Sequence, residues 1–122
     1  MRGRPLVAAH REAWLAGLDR RDAMLGFSGP EFARMISESP TLLARLRELH
    51  DAREKALAES LDHDRTTARA AAAQIATVHR ILFDEVLTRT ARGEDDATIA
   101  REVGNVAERM FGLLESGLGA LG

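Results

Sequence analysis

From Thr66 to Arg92 the chain sets Ala71, Ile75, Val78, Leu82 and Val86 three or four positions apart, and Gly93 closes the run. That spacing places the side chains on one face of a helix. Ala72, Ala76, Phe83 and Leu87 carry the apolar surface round to a second side, so one neighbouring helix would not cover it. Strand signals are nearly missing: there is no tyrosine, β-branched residues are scattered, and no period-2 alternation persists. The sequence therefore predicts an all-α protein, an antiparallel bundle of about five helices in a single domain spanning residues 1–122.

The punctuation places the other helices. The first opens at Pro5 and runs to about Asp22, with Val7, Trp14, Leu18 and Leu25 at helical spacing, until "GFSGP" breaks it. A short helix from Pro30 to about Ser37 is expected to bury Phe32, Met35 and Ile36. Ser39 as N-cap and Pro40 at the first helical position start a third helix that reaches about Leu61. "DHDRT" supplies the turn into Thr66–Arg92, and "EDD" precedes a last helix from about Ala97 to Leu118.

In that last helix Ile99, Val103, Val106, Met110, Phe111, Leu113, Leu114 and Leu118 cover roughly 160° of arc, wider than the ~100° stripe of an ordinary surface helix. Ala100, Gly104 and Gly117 would admit a close helix neighbour. Two adjacent long helices with such broad faces predict that they pack on the core and also on a second copy, as a dimeric four-helix interface.

Composition removes several function classes. A formal net charge of -2 and a pI near 6.1 lack the basic footprint that phosphate-backbone binding requires. Without cysteine there is no disulfide, thiolate metal site or cysteine nucleophile. No apolar run approaches a membrane span, and His10, Arg11 and Glu12 interrupt the N-terminal segment where a signal-peptide core would lie. The expectation is a soluble, cytoplasmic protein with no nucleic-acid or membrane partner.

The third helix poses the sharpest chemical question. Leu42, Leu46, Leu49 and Leu57 form its stripe, and Arg53 falls in the middle with His50 on the shoulder. A charge among leucines must reach water, meet a carboxylate or find an anion. On an inner, central helix with neighbours on both sides, it is expected either to pair with Glu85 or, with His50, to hold the polar end of an otherwise apolar ligand. His10, on a face with Trp14, and His79, beside the Ile75–Leu82 stripe, read as hydrogen-bonded core or boundary residues, and His63 as a solvated loop residue. The pairs His50–Asp51 and His63–Asp64 do not make a metal site, since Asp51 lies on the polar face away from His50. No Gly-x-Ser-x-Gly turn or phosphate loop occurs, so no catalytic residue, metal or cofactor is expected.

"FARMISESPTLLARLRELHDAREKALAESL", an alanine-rich helix, "VHRILFDEVLTRTARGEDD" and "AERMFGLLESGL" together resemble the C-terminal effector-binding and dimerisation domain of the TetR family of bacterial transcriptional regulators, over about Pro30 to Leu118. The resemblance implies a dimer built by the last two helices and a pocket for a small apolar effector. It has no counterpart here for the family's basic helix-turn-helix segment, so DNA contact by this chain alone is not expected. On this reading the pocket wall is Trp14, Met35, Leu46, His50, Arg53, Gln74, Val78 and Leu82, and the dimer face is Phe83, Leu87, Val106, Met110 and Leu113. Two other classes stay open: a structural or adaptor protein without a ligand, and a small helical enzyme using His50 or His79 with Glu85.

Overall fold

The computed structural model describes residues 6–118, and within them the chain is all helical. Helix α1 covers Leu6–Arg20, a single 3-10 turn covers Ala23–Leu25, and α2 covers Pro30–Ser37. Helices α3, α4 and α5 follow at Pro40–Ser60, Arg65–Ala91 and Asp96–Leu118. Pro5, where the first helix was expected to open, lies outside the described residues.

Each boundary has a local cause. Pro30 and Pro40 stand in the first turns of α2 and α3, where their missing N–H costs nothing. The Ser39 hydroxyl accepts from the Leu42 N–H at 3.2 Å, and the carboxylates of Asp64 and Asp95 accept from Thr67 and Thr98 at 3.0 and 2.8 Å. Those backbone donors hold both carboxyl groups below their ordinary range. Gly93 takes φ 86 after α4, the left-handed conformation that stops a helix.

Asp22 was expected inside the end of the first helix; instead it starts an element of its own. Its side chain accepts from the Met24 N–H at 2.9 Å, capping the 3-10 turn, and Gly26 ends that turn at φ 109. A Cβ on Gly26 would stand 3.2 Å from the Phe83 carbonyl oxygen and 3.2 Å from Val86, so glycine is what lets this turn lie against α4.

Helix α4 is the spine, packing on α2, α3, α5 and the 3-10 turn, while α1 lies on α5. Its Ile75, Leu82 and Val86 meet Ile99, Val103, Ala107 and Phe111 of α5 in the centre of the core, all fully buried. Val7, Trp14 and Leu18 of α1 and Phe27 complete that cluster. Gly104, expected to admit a helix neighbour, faces Leu18 of α1.

Two expectations about burial fail. Helix α3 is not central: it contributes no fully buried residue, and Leu42 and Leu49 of its leucine stripe are exposed, because it rests on the outer flank of α4. In α2 the residue turned onto the bundle is Ala33, fully buried, while Phe32 is 53% and Met35 50% exposed. A short helix that places an alanine at the contact approaches α4 closely, and the large residues on either side of it are left outward.

Candidate functional site

Three helical stripes converge between α1, α3 and α4. Helix α1 supplies His10, Ala13 and Trp14; α3 supplies His50, Arg53, Glu54 and Leu57; α4 supplies Ala76, His79 and Phe83. His10 and Trp14, His50, Arg53 and Leu57, and Ala76, His79 and Phe83 are each three or four positions from the next on their helix, so each stripe is one face. Arg20 and the turn residues Asp22, Met24 and Leu25 close the remaining side. The half-open space between them is about 410 Å³, within the range of small-molecule sites. A larger depression of about 970 Å³ follows the turn between α3 and α4, but it is lined largely by charged groups such as Asp51, Lys55, Glu59, Arg65 and Arg69. The smaller cavity carries the larger apolar side chains, Trp14, Leu25, Leu57 and Phe83.

His79 organises one wall. The indole Nε1–H of Trp14 donates to its Nδ1, and an indole N–H has no acceptor role. Nδ1 is therefore unprotonated, the ring proton sits on Nε2, and Nε2–H donates to Nδ1 of His10 at 3.0 Å. Trp14 lies nearly parallel to the His79 ring, with centroids 5.9 Å apart, and Phe111 meets its edge from the core at the same separation. A second proton on His79 would have to go on Nδ1, against the indole N–H. Burial, followed by the neighbouring His10, Arg53 and His50, pulls the His79 pKa down to about 4. Burial lowers His10 too, and burial together with Arg53 lowers His50.

Charge at the cavity is divided unevenly. Asp22 is held by Arg20 at 3.2 Å, and Glu54 by Arg80 at 3.1 Å. Arg53 makes only a weak contact, Nη2 donating to the Met24 thioether at 3.8 Å. Its expected partner Glu85 instead receives Arg89 at 3.3 Å. Beside Arg53, His50 packs edge-on against Phe83, ring centroids 5.2 Å apart.

The structure brings together three of the eight residues expected to line the pocket: Trp14, His50 and Arg53. Val78 and Leu82 belong to the core behind it, Gln74 points to solvent from α4, Met35 is exposed on α2, and Leu46 lies one turn beyond His50. Of the residues expected on the dimer face, Phe83 lines the cavity and Leu87 is buried within the chain. Val106 and Met110 are half-buried against the core, and Leu113 is 72% exposed.

His10, His79 and Phe83 are site residues that helical periodicity alone assigned elsewhere. The spacing of His10 to Trp14 and of His79 to Phe83, both i to i+4, was the available signal. Of the groups named in the enzyme alternative, His79 bonds to Trp14 and His10, and Glu85 accepts from Arg89. Among the described residues no three histidine or acidic side chains converge in a way that would hold a metal ion, and no described helix is long and apolar enough to cross a membrane. The chain matches no protein-family model, no curated protein and no solved structure.

Proposed function

We propose that this chain is the ligand-sensing and dimerisation domain of a TetR-type regulator, working in the cytoplasm and taking a small, mainly apolar effector between α1, α3 and α4. The observation that carries this reading is the cavity of about 410 Å³, in which Trp14, Leu25, Leu57 and Phe83 share the walls with three histidines and four charged side chains. The resemblance of residues 30–118 to the effector domain of that family supplies the regulatory context.

The architecture supports a coupling route. Helix α1 contributes one wall of the cavity and also packs along α5, while α4 contributes another wall and packs along α5 from its own side. A ligand that prefers one spacing of α1 and α4 therefore favours one position of α5, and the shift is as large as its difference in affinity for the two arrangements. The outward residues of α5, Leu113 with Val106 and Met110 beside it, are the proposed contact with a second copy.

Two measurements test the reading. Light scattering should give twice the chain mass of 13.3 kDa, and Leu113→Arg should return it to a monomer; a monomeric wild type overturns the dimer. A neutral apolar probe such as naphthalene should quench or shift the emission of Trp14, the chain's single tryptophan, and raise the melting temperature. At 100-fold excess over Kd the stabilisation is about 2.7 kcal/mol. No response from Trp14 to any apolar probe overturns the cavity as a binding site.

A further inference from the structure

We infer that the cavity is built for an amphipathic monocarboxylate, with Arg53 binding the acid group and the walls of Trp14, Leu57 and Phe83 holding an apolar body. This rests on the ligand-binding reading above and specifies the chemistry of its occupant.

The first ground is charge accounting. Of the four charged side chains that line the cavity, Arg20 and Asp22 neutralise one another at 3.2 Å, and Glu54 is neutralised by Arg80 at 3.1 Å. Arg53, an exposed side chain, is the remaining charge, and its guanidinium rests against a thioether, a weak acceptor. The histidines around the cavity do not add to it, because His10, His50 and His79 are all pushed toward their neutral forms. The four lining charges sum to zero, and Arg53 is the one among them with no ion-pair partner among the described residues, which leaves a place for one carboxylate.

The second ground is the geometry of the donor. A guanidinium presents paired N–H groups that fit the two oxygens of a carboxylate, and its weak contact with Met24 is readily exchanged for that pair. His50 lies one turn along the same face of α3 and carries an N–H in its neutral form, a second donor for the same acid group. The third ground is size. A half-open space of about 410 Å³ equals roughly a dozen waters at ~30 Å³ each, room for an acid of about ten to fifteen heavy atoms.

The test uses two acid and alcohol pairs of matched shape, 4-phenylbutyrate with 4-phenylbutan-1-ol and octanoate with octan-1-ol, titrated at pH 7.5 while Trp14 emission is read. Each acid should bind about tenfold or more tighter than its alcohol, the size expected of hydrogen bonds to a charged group. Arg53→Gln should abolish that preference while changing alcohol affinity less than about twofold, and Arg53→Lys should restore part of it. Arg47→Gln, which removes an exposed cation of α3 that does not line the cavity, should leave the preference in place. If acids and alcohols bind equally, or if Arg53→Gln keeps the preference, the acid assignment is overturned and the cavity stands as a neutral-ligand site. If neither acids nor alcohols move Trp14 emission, both the assignment and the ligand-binding reading fall.

Discussion

The indole of Trp14 and the imidazole of His79 are joined in one direction only: Nε1–H donates, Nδ1 accepts, and the proton left to His79 passes to a bond with His10. Two helices distant in sequence, α1 and α4, are thereby locked at a single tautomer, and four expectations follow from this pairing and the packing around it.

Trp14→Phe keeps most of the apolar volume and removes the donor. His79 Nδ1 then loses its partner in a buried setting, at a cost of about 1–3 kcal/mol for the unsatisfied group, with lost ring volume adding to it. With the opposing N–H gone the His79 pKa should rise from about 4, while burial, the main cause of its lowering, keeps it below 6.5. Urea denaturation and an NMR titration of the His79 ring protons read the two effects separately. An unchanged His79 titration would contradict the hydrogen-bond assignment.

Stability should fall on mild acidification. His79 is lowered in the folded protein, so between about 4 and 6.5 the unfolded chain binds the extra proton and folding is penalised as pH drops. The stabilisation is fully present above 6.5 and is lost toward 4, at most about 3 kcal/mol for this residue. His10 and His50 are lowered as well and act in the same direction. Denaturant midpoints at pH 7.5, 5.5 and 4.5 should decrease in that order, and a maximum near pH 5 would refute the linkage.

Gly26 and Gly93 both have positive φ, yet they should respond differently to alanine. At Gly93 a Cβ meets open space, and Gly93→Ala should cost only the left-handed backbone penalty, about 1–2 kcal/mol. At Gly26 the same Cβ would press on the Phe83 carbonyl and Val86, adding an overpacking cost of roughly 1–3 kcal/mol. Gly26→Ala should also weaken ligand binding, since the turn it closes carries Met24 and Leu25 into the cavity. Thermal denaturation of both variants checks the difference.

Phe111→Ala should be among the most damaging core substitutions. The ring is fully buried between α1, α4 and α5 and touches the edge of His79, and such truncations cost about 3–5 kcal/mol. In a small domain that is a large part of the total. Loss of the cooperative melting transition, or a fall in its midpoint by 10 °C or more, is expected, at the ~4–8 °C per kcal/mol typical of this size.

The helices were legible in the sequence because their signals are local. Pro30, Pro40, Ser39, Asp64 and Gly93 act within one turn of where they stand, and the observed boundaries follow them closely. The α4 stripe from Ala71 to Val86 was equally readable, since it is buried throughout. Position within the bundle was not. The leucines of α3 have the same spacing whether the helix is inner or outer, and nothing in Leu42 or Leu49 says that α4 will be covered by α3 on one flank only. The cavity was half legible. Trp14, His50 and Arg53 stood out as polar or bulky groups on apolar faces, but the bond from His79 to His10 spans 69 positions and depends on how α1 is laid across the bundle.

The peripheral placement of α3 bears on how the interior is reached. Its residues are nowhere fully buried, whereas α4 and α5 are clamped by a continuous row of fully enclosed side chains. Amide exchange should therefore be fastest along α3 and slowest along α4, with α3 able to lift away in a local opening that leaves the rest folded. For a guest bound as proposed, entry and exit would then follow how often α3 detaches from α4, and residence time would be adjustable through contacts such as Glu54 with Arg80 that pin that helix down.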